Sequence, residues 1–373
     1  MSSLRVVVDT IVSPGDAESG RYALELTRAL TETAPQGVDV EGLVSSSPQA
    51  DYAHLEAELP GLAGLRKAPI DRRTMRAAWR RGLALPAPGM LHAPDLLAPL
   101  SRRVRSAASD AQAVVTVHDT LAWTDPSALP AKEAAWRRAM LRRAERFADA
   151  VVVPNHAVAD ALGEFGAFGE RIRVVEGGPS SHIDRPADAA ERAIRLGLPP
   201  EYVLTWGSGG AARSLGTVLR GFSRTDGPEL PLVVFGGADV VELAHRAGLA
   251  PGRVHVVDPA GHEDRATVLH GAELLVHAGP ANGFGLHIID AMAAGVPVVH
   301  GTDAALEELT AGAALVVDRN DVLGYTASLA QHIAALLEDA QTSRRMRVSG
   351  MDRSAFFKWR DAAEKIWQLH ADL

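Results

Sequence analysis

The stretch that decides the fold runs from His277 to Val299 and reads HAGPANGFGLHIIDAMAAGVPVV. It predicts a strand that ends in a glycine-containing loop, a helix that begins near Gly285 and Leu286, and a Gly-Val-Pro turn into the next strand. The N–H groups and the dipole of such a helix start suit a diphosphate. Asp290, about one turn further on, could accept hydrogen bonds from both hydroxyls of a ribose. The alternative interpretation is a tight strand-to-helix turn with a solvated aspartate.

The same alternation of β-branched runs and helical patterns extends over the whole chain and predicts parallel sheets with helices on both faces. The predicted strands are Leu4–Val8, Val38–Val44, Ala113–Val117, Ala150–Val153, Tyr202–Trp206, Leu232–Phe235, Val254–Val257, Leu274–His277, Val296–His300 and Ala314–Val317. One predicted helix begins near Ser19, and two others span Ala131–Phe147 and Ala189–Leu196. A turn-rich linker at 177–186 separates two Rossmann-like domains, residues 1–180 and 187–355, which we expect to face each other across a cleft.

Composition limits the classes of function. The chain has 373 residues, of which 47% are hydrophobic and 23% charged, so it can bury two cores. Its net charge of −8 predicts no nucleic-acid partner, and the absence of cysteine excludes disulfides and thiolate metal sites. The N-terminal residues lead directly into a strand, and no apolar run approaches the ~18 residues of a spanning helix. We therefore expect a cytoplasmic protein.

The stretch from 277 to 299 resembles the donor-binding signature of family 4 retaining glycosyltransferases, which have the GT-B fold. That signature reads roughly Pro-Ser-x-x-Glu-Gly-Phe-Gly-Leu-Pro-x-x-Glu-Ala-Met-Ala-x-Gly-x-Pro-Val. Its two glutamates, eight positions apart, hold the transferred sugar and the nucleotide ribose. Asn282 and Asp290 occupy those positions, and His287 replaces the usual proline. The resemblance implies a donor site that includes Phe284, Gly285 and Leu286, with Asn282 at the sugar and Asp290 at the ribose.

A second segment, residues 202–215, is similar to the strand, loop and helix that bind the donor phosphates in this family. Arg213 lies where the family has a phosphate-binding lysine and keeps the positive charge. Ser208 stands where many members have a second basic residue. The resemblance implies that both residues lie in the donor site. The alternative for Arg213 is a solvated arginine at the start of a helix.

In the N-terminal half, Thr116-Val117-His118-Asp119 resembles the family's strand end at the acceptor cleft. The resemblance implies that His118 contacts the sugar, while Asp119 is expected to orient the turn. Gly20 and Arg21 resemble the family's Gly-Arg-Tyr loop, where the backbone can approach an acceptor or a phosphate. A helix capped by Ser19 is compatible with that role. We interpret His92, at another strand end, as a scaffold residue.

Towards the C-terminus, Glu308 matches the family's glutamate before the last strand and is either a ribose contact or a solvated charge. Residues 356–373 resemble the closing helix that crosses back to the first domain, so Trp359 and Trp367 are expected to pack. The arginine-rich segment 71–81, which includes Met75 and Trp79, and the segment 136–147 could contact an anionic membrane. Solvated helix faces are the preferred interpretation because the chain is acidic overall.

The resemblance implies a metal-independent, retaining hexosyltransferase that needs no cofactor. The donor would be a nucleotide sugar such as GDP-mannose or a UDP-sugar, and the acceptor a glycan, a lipid-linked sugar or a small molecule. Two alternatives stay open. One is an inactive homologue that binds a ligand or partner, because Asn282 and Ser208 lack the family's charges. The other is a sugar-nucleotide epimerase or phosphorylase of similar architecture. The sequence leaves the oligomeric state open.

Overall fold

The computed structural model describes residues 2–13, 17–83, 89–102, 111–207, 212–236, 239–258, 261–280 and 284–373, with backbone alone for Ser2, Ala17, Ala212 and Arg213. The chain forms two compact units. Unit 1 comprises Met1–Gly177 and Lys358–Leu373, and unit 2 comprises Gly178–Phe357. The predicted bounds were 1–180, 187–355 and 356–373, so the second unit begins nine residues earlier than the sequence indicated.

The described part of unit 1 contains a seven-stranded parallel sheet in the order β3-β2-β1-β4-β5-β6-β7. Its strands are β1 Ser2–Val7, β2 Val38–Ser46, β3 Gly64–Asp71, β4 Met90–Ala93, β5 Gln112–Thr116, β6 Ala150–Val153 and β7 Ile172–Val174. The central strands are lined by buried apolar residues such as Val6, Leu91 and Val151, because helices cover both faces of the sheet. The strand order reverses between β1 and β4, which is where ligands bind in open parallel sheets.

The helices of unit 1 are α1 Asp9–Val12, α2 Ala17–Glu32, α3 Gln49–Glu58, α4 Arg72–Arg80, α5 Leu121–Thr124, α6 Ala131–Phe147, α7 His156–Phe165 and α16 Trp359–Asp372. Helix α2 buries Tyr22, Leu26 and Leu30, which follow one another at four-residue spacing and so share a face. Helix α16 packs against α2, and the indole N–H of Trp367 donates to Thr33 Oγ1 at 3.2 Å. The last helix therefore belongs to the first core.

The described part of unit 2 contains a six-stranded parallel sheet in the order β10-β9-β8-β11-β12-β13. Its strands are β8 Val203–Trp206, β9 Leu232–Phe235, β10 Val254–Val257, β11 Leu274–His277, β12 Val298–Gly301 and β13 Leu315–Val317. The order reverses between β8 and β11. The loops after these two strands, which begin at Gly207 and Ala278, therefore leave the sheet at the position favoured for ligands.

The helices of unit 2 are α8 Ala189–Arg195, α9 Ala212–Phe222, α10 Val240–Arg246, α11 His262–His270, α12 Leu286–Ala293, α13 Ala304–Thr310, α14 Tyr325–Glu338 and α15 Ala340–Ser354. One core cluster joins helices α9, α10 and α14 to the sheet through side chains such as Leu219, Phe222 and Ile333. Helix α12 is buried along most of its length and packs against α15. Its burial fixes its first turn beside the end of β11.

The predicted α/β architecture of two parallel-sheet domains is confirmed. One expectation was wrong: Ser19 does not cap α2, because that helix already begins at Ala17. On α4, Met75 and Trp79 are buried within unit 1, so these two side chains do not form part of a surface face.

Candidate functional site

Two tight backbone turns shape the switch point of unit 2. Gly207 follows β8, and a Cβ there would lie 2.6 Å from the carbonyl oxygen of Gly236. Gly279 follows β11, and a Cβ there would lie 2.9 Å from Ser214 Cβ. Any larger residue at either position would push these segments apart. The close contact at Gly279 places the first turn of α9 next to the loop that leads into α12.

The start of α12 has the backbone that the sequence predicted. Gly285 is the N-cap residue with φ of 64°, a left-handed conformation that favours glycine, and no described side chain caps the helix. Leu286 is the first helical residue, and both Leu286 and Phe284 are buried. Since a helix start leaves its first N–H groups without intrahelical partners, this turn suits an anion.

Two histidines connect the ends of the loop between β11 and α12. His277 Nε2 lies 3.1 Å from the carbonyl oxygen of Pro280, and His287 Nε2 lies 2.9 Å from His277 Nδ1. A carbonyl can only accept, so His277 carries its proton on Nε2 and its Nδ1 accepts from His287. The ring of His287 also lies 5.1 Å from that of Trp206. His287, where the related family has proline, thus ties the helix start to the strand end.

Asp290 lines a pocket within unit 2, which we call the Asp290 pocket. Its lining residues come from the segment after Gly178, the end of β8 and helices α11 and α12: Ser180, His182, Ile183, Trp206, His262, Arg265, Ala266, Leu269 and Asp290. The enclosed space that a water-sized molecule can enter is only about 10 Å³, so a larger ligand would lie mostly outside it. Asp290 is only 2% exposed, and its Oδ1 accepts the backbone N–H of Ser180 at 2.8 Å. Aromatic rings, an arginine and a carboxylate at a switch point can hold a nucleoside.

Sequence reasoning missed most of this pocket. Trp206, His182, His262 and Arg265 were not predicted as site residues, and no local motif marks them. Ser180 and Asp290 are 110 positions apart in the chain. The only signal was the position of Trp206 at the end of a predicted strand, where parallel sheets bind their ligands.

Several predicted donor residues cannot be placed. Asn282 and Ser208 lie outside the described residues, as does the side chain of Arg213. Glu308 is half-buried on α13, where its backbone carbonyl accepts from Arg353 at 2.9 Å, and it is not among the described residues that line the Asp290 pocket.

In unit 1 the structure brings His118 close to the start of α2. His118 Nε2 lies 2.7 Å from the carbonyl oxygen of Pro94, and its ring contacts that of Tyr22 edge-on at 4.8 Å. Tyr22 follows Gly20 and Arg21 in α2, so these predicted residues share one end of the sheet. The Trp359 ring also packs against that of Tyr22, with 5.5 Å between centroids, as expected for a packing residue.

Asp119 and His92 have the structural roles predicted for them. Asp119 accepts the N–H of Leu121 at 2.9 Å and forms an ion pair with Arg137 at 2.9 Å, which orients the turn after β5. His92 is fully buried in β4. Burial, together with the nearby His370, lowers the pKa of His92 to about 3, so His92 is neutral at neutral pH.

A polar network at the switch point of unit 1 was also missed by sequence reasoning. Asp9, which follows β1, is buried and accepts hydrogen bonds from the N–H and hydroxyl of Ser45. Burial raises the pKa of Asp9, and the bonds from Ser45 oppose that shift. Asp95, which follows β4, accepts from Thr10 Oγ1 at 2.6 Å. Arg72 donates to the carbonyl of Asp9 and connects α4 to this edge.

The described residues lack both a metal-binding cluster and a membrane-spanning helix. They contain no group of three or more His, Cys, Asp or Glu side chains placed to hold a metal ion. Within the same residues, no helix combines the length and the apolar character needed to cross a bilayer.

Comparison with protein families assigns both halves of the chain. Residues 19–179 match the model described as Glycosyltransferase Family 4, and residues 212–339 match that of Glycosyl transferases group 1. Each half of the chain is therefore similar to a family of glycosyltransferases. The two matches cover most of unit 1 and the part of unit 2 that contains the helix starts of α9 and α12.

Known proteins agree with this assignment. D-inositol 3-phosphate glycosyltransferase 1 of Catenulispora acidiphila is 26% identical, over 99% of this chain and 95% of that protein. Among solved structures, sucrose-phosphate synthase of Thermosynechococcus elongatus has a TM-score of 0.71 at 18% identity, with 100% of this chain and 99% of that chain covered. Anabaena HepE in complex with UDP-glucose has a TM-score of 0.71 at 17% identity, with 100% of both chains covered. These structural similarities show the GT-B fold.

Proposed function

We propose that the chain transfers a hexosyl group from a nucleotide-diphosphate sugar to an acceptor hydroxyl with retention of configuration. In this reaction the bond between the anomeric carbon and the diphosphate breaks, and the nucleoside diphosphate leaves with the electron pair. The acceptor oxygen bonds to the anomeric carbon on the same face, and its proton passes to an oxygen of the departing diphosphate. The observation that carries the proposal is that the start of α12 and the Asp290 pocket lie together at the switch point of unit 2.

The diphosphate is assigned to the first turn of α12, where N–H groups and the helix dipole offset the charge that develops on the leaving group. Arg213 supplies a cation from the first turn of α9. The close approach of Ser214 to Gly279 supports this role, because it places the neighbouring backbone beside the loop that leads into α12. These groups would make a divalent metal unnecessary.

The nucleoside is assigned to the Asp290 pocket, with Asp290 at the ribose hydroxyls and the rings of Trp206 and His182 available to the base. HepE was solved with UDP-glucose, which supports a UDP-sugar as donor, and GDP-mannose remains the other donor to test. For the acceptor, the name of the Catenulispora relative supports a small phosphorylated polyol alongside a glycan or lipid-linked sugar.

The remaining assignments rest on the family resemblance. Asn282 and His118 would contact the transferred sugar, and Gly20 and Arg21 the acceptor or a phosphate. Glu308 would contact the ribose as a second carboxylate. The contact of His118 with Tyr22, which follows Arg21 in α2, supports a common role for these residues in unit 1.

Calorimetric titration with UDP and GDP tests the proposed donor site. Arg213→Ala and Asp290→Ala should each weaken binding by about tenfold or more, since each removes a charged partner of the ligand. Arg220→Ala is the matched control, because Arg220 lies in the last turn of the same helix α9. Binding that is equally strong in both site variants and the control would rule out these roles.

The neutral Asn282 and the serine at position 208 also support a second candidate, an inactive homologue that binds nucleotide without turnover. Incubation with UDP-, GDP- and ADP-sugars and a panel of acceptors distinguishes the two. Release of nucleoside diphosphate that depends on an acceptor supports the transferase. Tight nucleotide binding without any release of product supports the inactive homologue.

We further propose a cytoplasmic location with weak electrostatic contact to anionic lipid. Exposed cations on α4 and α6, such as Arg73, Arg80, Arg142 and Arg146, support it, while the burial of Met75 and Trp79 excludes those side chains from insertion. Co-sedimentation with phosphatidylserine vesicles should fall steeply as salt rises from 50 to 300 mM, roughly the range over which charge screening becomes strong. Binding that persists at high salt would contradict an electrostatic contact.

A further inference from the structure

The segment 180–183, which begins two residues after the start of unit 2, is fixed against both helices that border the Asp290 pocket. The backbone N–H of Ser180 donates to Asp290 on α12 at 2.8 Å. The ring of His182 stacks on that of His262, the first residue of α11, with 4.5 Å between centroids. The carbonyl of Ile183 accepts from His270 Nε2, in the last turn of α11, at 2.8 Å. Three successive contacts thus hold the segment along the pocket.

Helix α8, which follows this segment, is also attached to α11. Arg192 and Arg195 both contact Asp264 Oδ1, at 2.7 and 2.6 Å. Asp264 and the Arg192 side chain are both mostly buried, so their ion pair is better shielded from water than most surface pairs, whereas Arg195 is largely exposed. Because α8 and residues 180–183 are both attached to α11, the position of the Ser180 N–H is set by the fold of unit 2.

The contact with Ser180 restrains one oxygen of the Asp290 carboxylate. Asp290 lies in the middle of α12 and is almost fully buried, yet it contributes to the lining of the pocket. A backbone N–H that donates to a carboxylate forms a charge-assisted hydrogen bond, which restricts rotation of the carboxylate. An aspartate also has one methylene fewer than the glutamate of the related signature, so its carboxylate reaches less far and depends more on being held in place.

We propose that the backbone N–H of Ser180 positions the Asp290 carboxylate for the nucleotide ribose, which makes residues 180–183 part of the donor site. This inference rests on the proposed function, because it requires a nucleotide in the Asp290 pocket. Ser180 is a positioning residue. It acts through Asp290, and the ligand group that it selects is the pair of ribose hydroxyls.

The test compares UDP with 2′,3′-dideoxy-UDP, and GDP with its dideoxy analogue, by calorimetry on the full chain. The wild type should prefer the ribonucleotide by about tenfold or more, as expected when hydroxyls donate to a charged group. Ser180→Pro removes the N–H and should reduce that preference to about twofold or less, while the affinity for the dideoxy analogue stays within about twofold. Ser180→Ala keeps the N–H and should retain the preference. Asp184→Pro is the matched control, since it introduces a proline directly after residues 180–183 at a position that does not line the pocket.

An undiminished preference for the ribonucleotide in Ser180→Pro would overturn the inference. In that case the wild type still binds nucleotide, so the proposed function stands. If the wild type binds neither UDP nor GDP, both proposals fail.

Discussion

Acid should destabilise unit 1 through two buried histidines, His92 on β4 and His370 on α16. Their rings lie 6.0 Å apart, and neither ring nitrogen of His92 has a hydrogen-bond partner among the described residues. Burial lowers the pKa of His92 to about 3 and that of His370 to about 4, from the 6.5 of an unburied histidine. The folded chain therefore keeps both rings neutral at a pH where the unfolded chain protonates them.

The sign and size of the effect follow from proton linkage. Between pH 6.5 and about 4 the unfolded state binds more protons, so stability is complete above pH 6.5 and falls as the pH decreases. Each pH unit below 6.5 lowers the free energy of unfolding by about 1.4 kcal/mol per histidine. At pH 5 the loss is about 2 kcal/mol for each histidine and about 4 kcal/mol for the pair, which is a large fraction of the stability of an ordinary domain.

Urea unfolding at pH 7.5 and pH 5.0, followed by tryptophan fluorescence, measures this loss. Of the 6 tryptophans, only Trp206 lies in unit 2, so the signal reports mainly on unit 1. His92→Leu removes one titrating ring and should recover about 2 kcal/mol of the acid-induced loss. His54→Gln changes an exposed histidine on α3 and is the control. An acid-induced loss in His92→Leu equal to that of the wild type would refute the reasoning.

Three further changes test the local geometry by urea unfolding. Gly285→Ala should lower the free energy of unfolding by about 2 to 3 kcal/mol, because φ is +64° and the new Cβ would lie 2.8 Å from Leu309 Cδ2. Gly163→Ala is the control and should not lower it, because nothing lies within 4 Å of the new Cβ. Ser45→Ala removes a donor to the buried Asp9 carboxylate and should cost about 1 to 2 kcal/mol, whereas the same change at exposed Ser46 should have little effect. His277→Phe should lower the free energy of unfolding by about 1 kcal/mol and also weaken nucleotide binding, because it breaks the hydrogen bond between His287 and His277 at the end of β11. Unchanged nucleotide binding would show that this hydrogen bond does not shape the donor site.

The sequence predicted those parts of the fold that a local pattern specifies. The strands Leu232–Phe235, Val254–Val257 and Leu274–His277 and the helix Ala131–Phe147 have the predicted bounds, because hydrophobic periodicity and turn residues mark both ends. Strand β3, Gly64–Asp71, was missed, since it lies at the edge of its sheet and most of its residues are exposed or only partly buried. Without a buried face, it lacks the hydrophobic signal of a strand.

The candidate site was predictable only where one segment contains it. The start of α12 could be predicted, because the glycines and the helical pattern that create it lie within a few residues of one another. The Asp290 pocket could not, since Ser180, Trp206 and His262 come from three separate segments that meet only when the sheet order brings β8 beside β11. Such contacts depend on tertiary packing, for which a single sequence offers no local signal.

Unit 1 is built from two distant pieces of chain, because α16 packs against α2. During synthesis on a ribosome, residues 1–177 leave the exit tunnel first but lack the helix that covers Tyr22 and supplies Trp367. Unit 2, which is continuous, can complete its core earlier, although it is encoded later. The nascent first unit therefore exposes an apolar helix face until α16 has been synthesised.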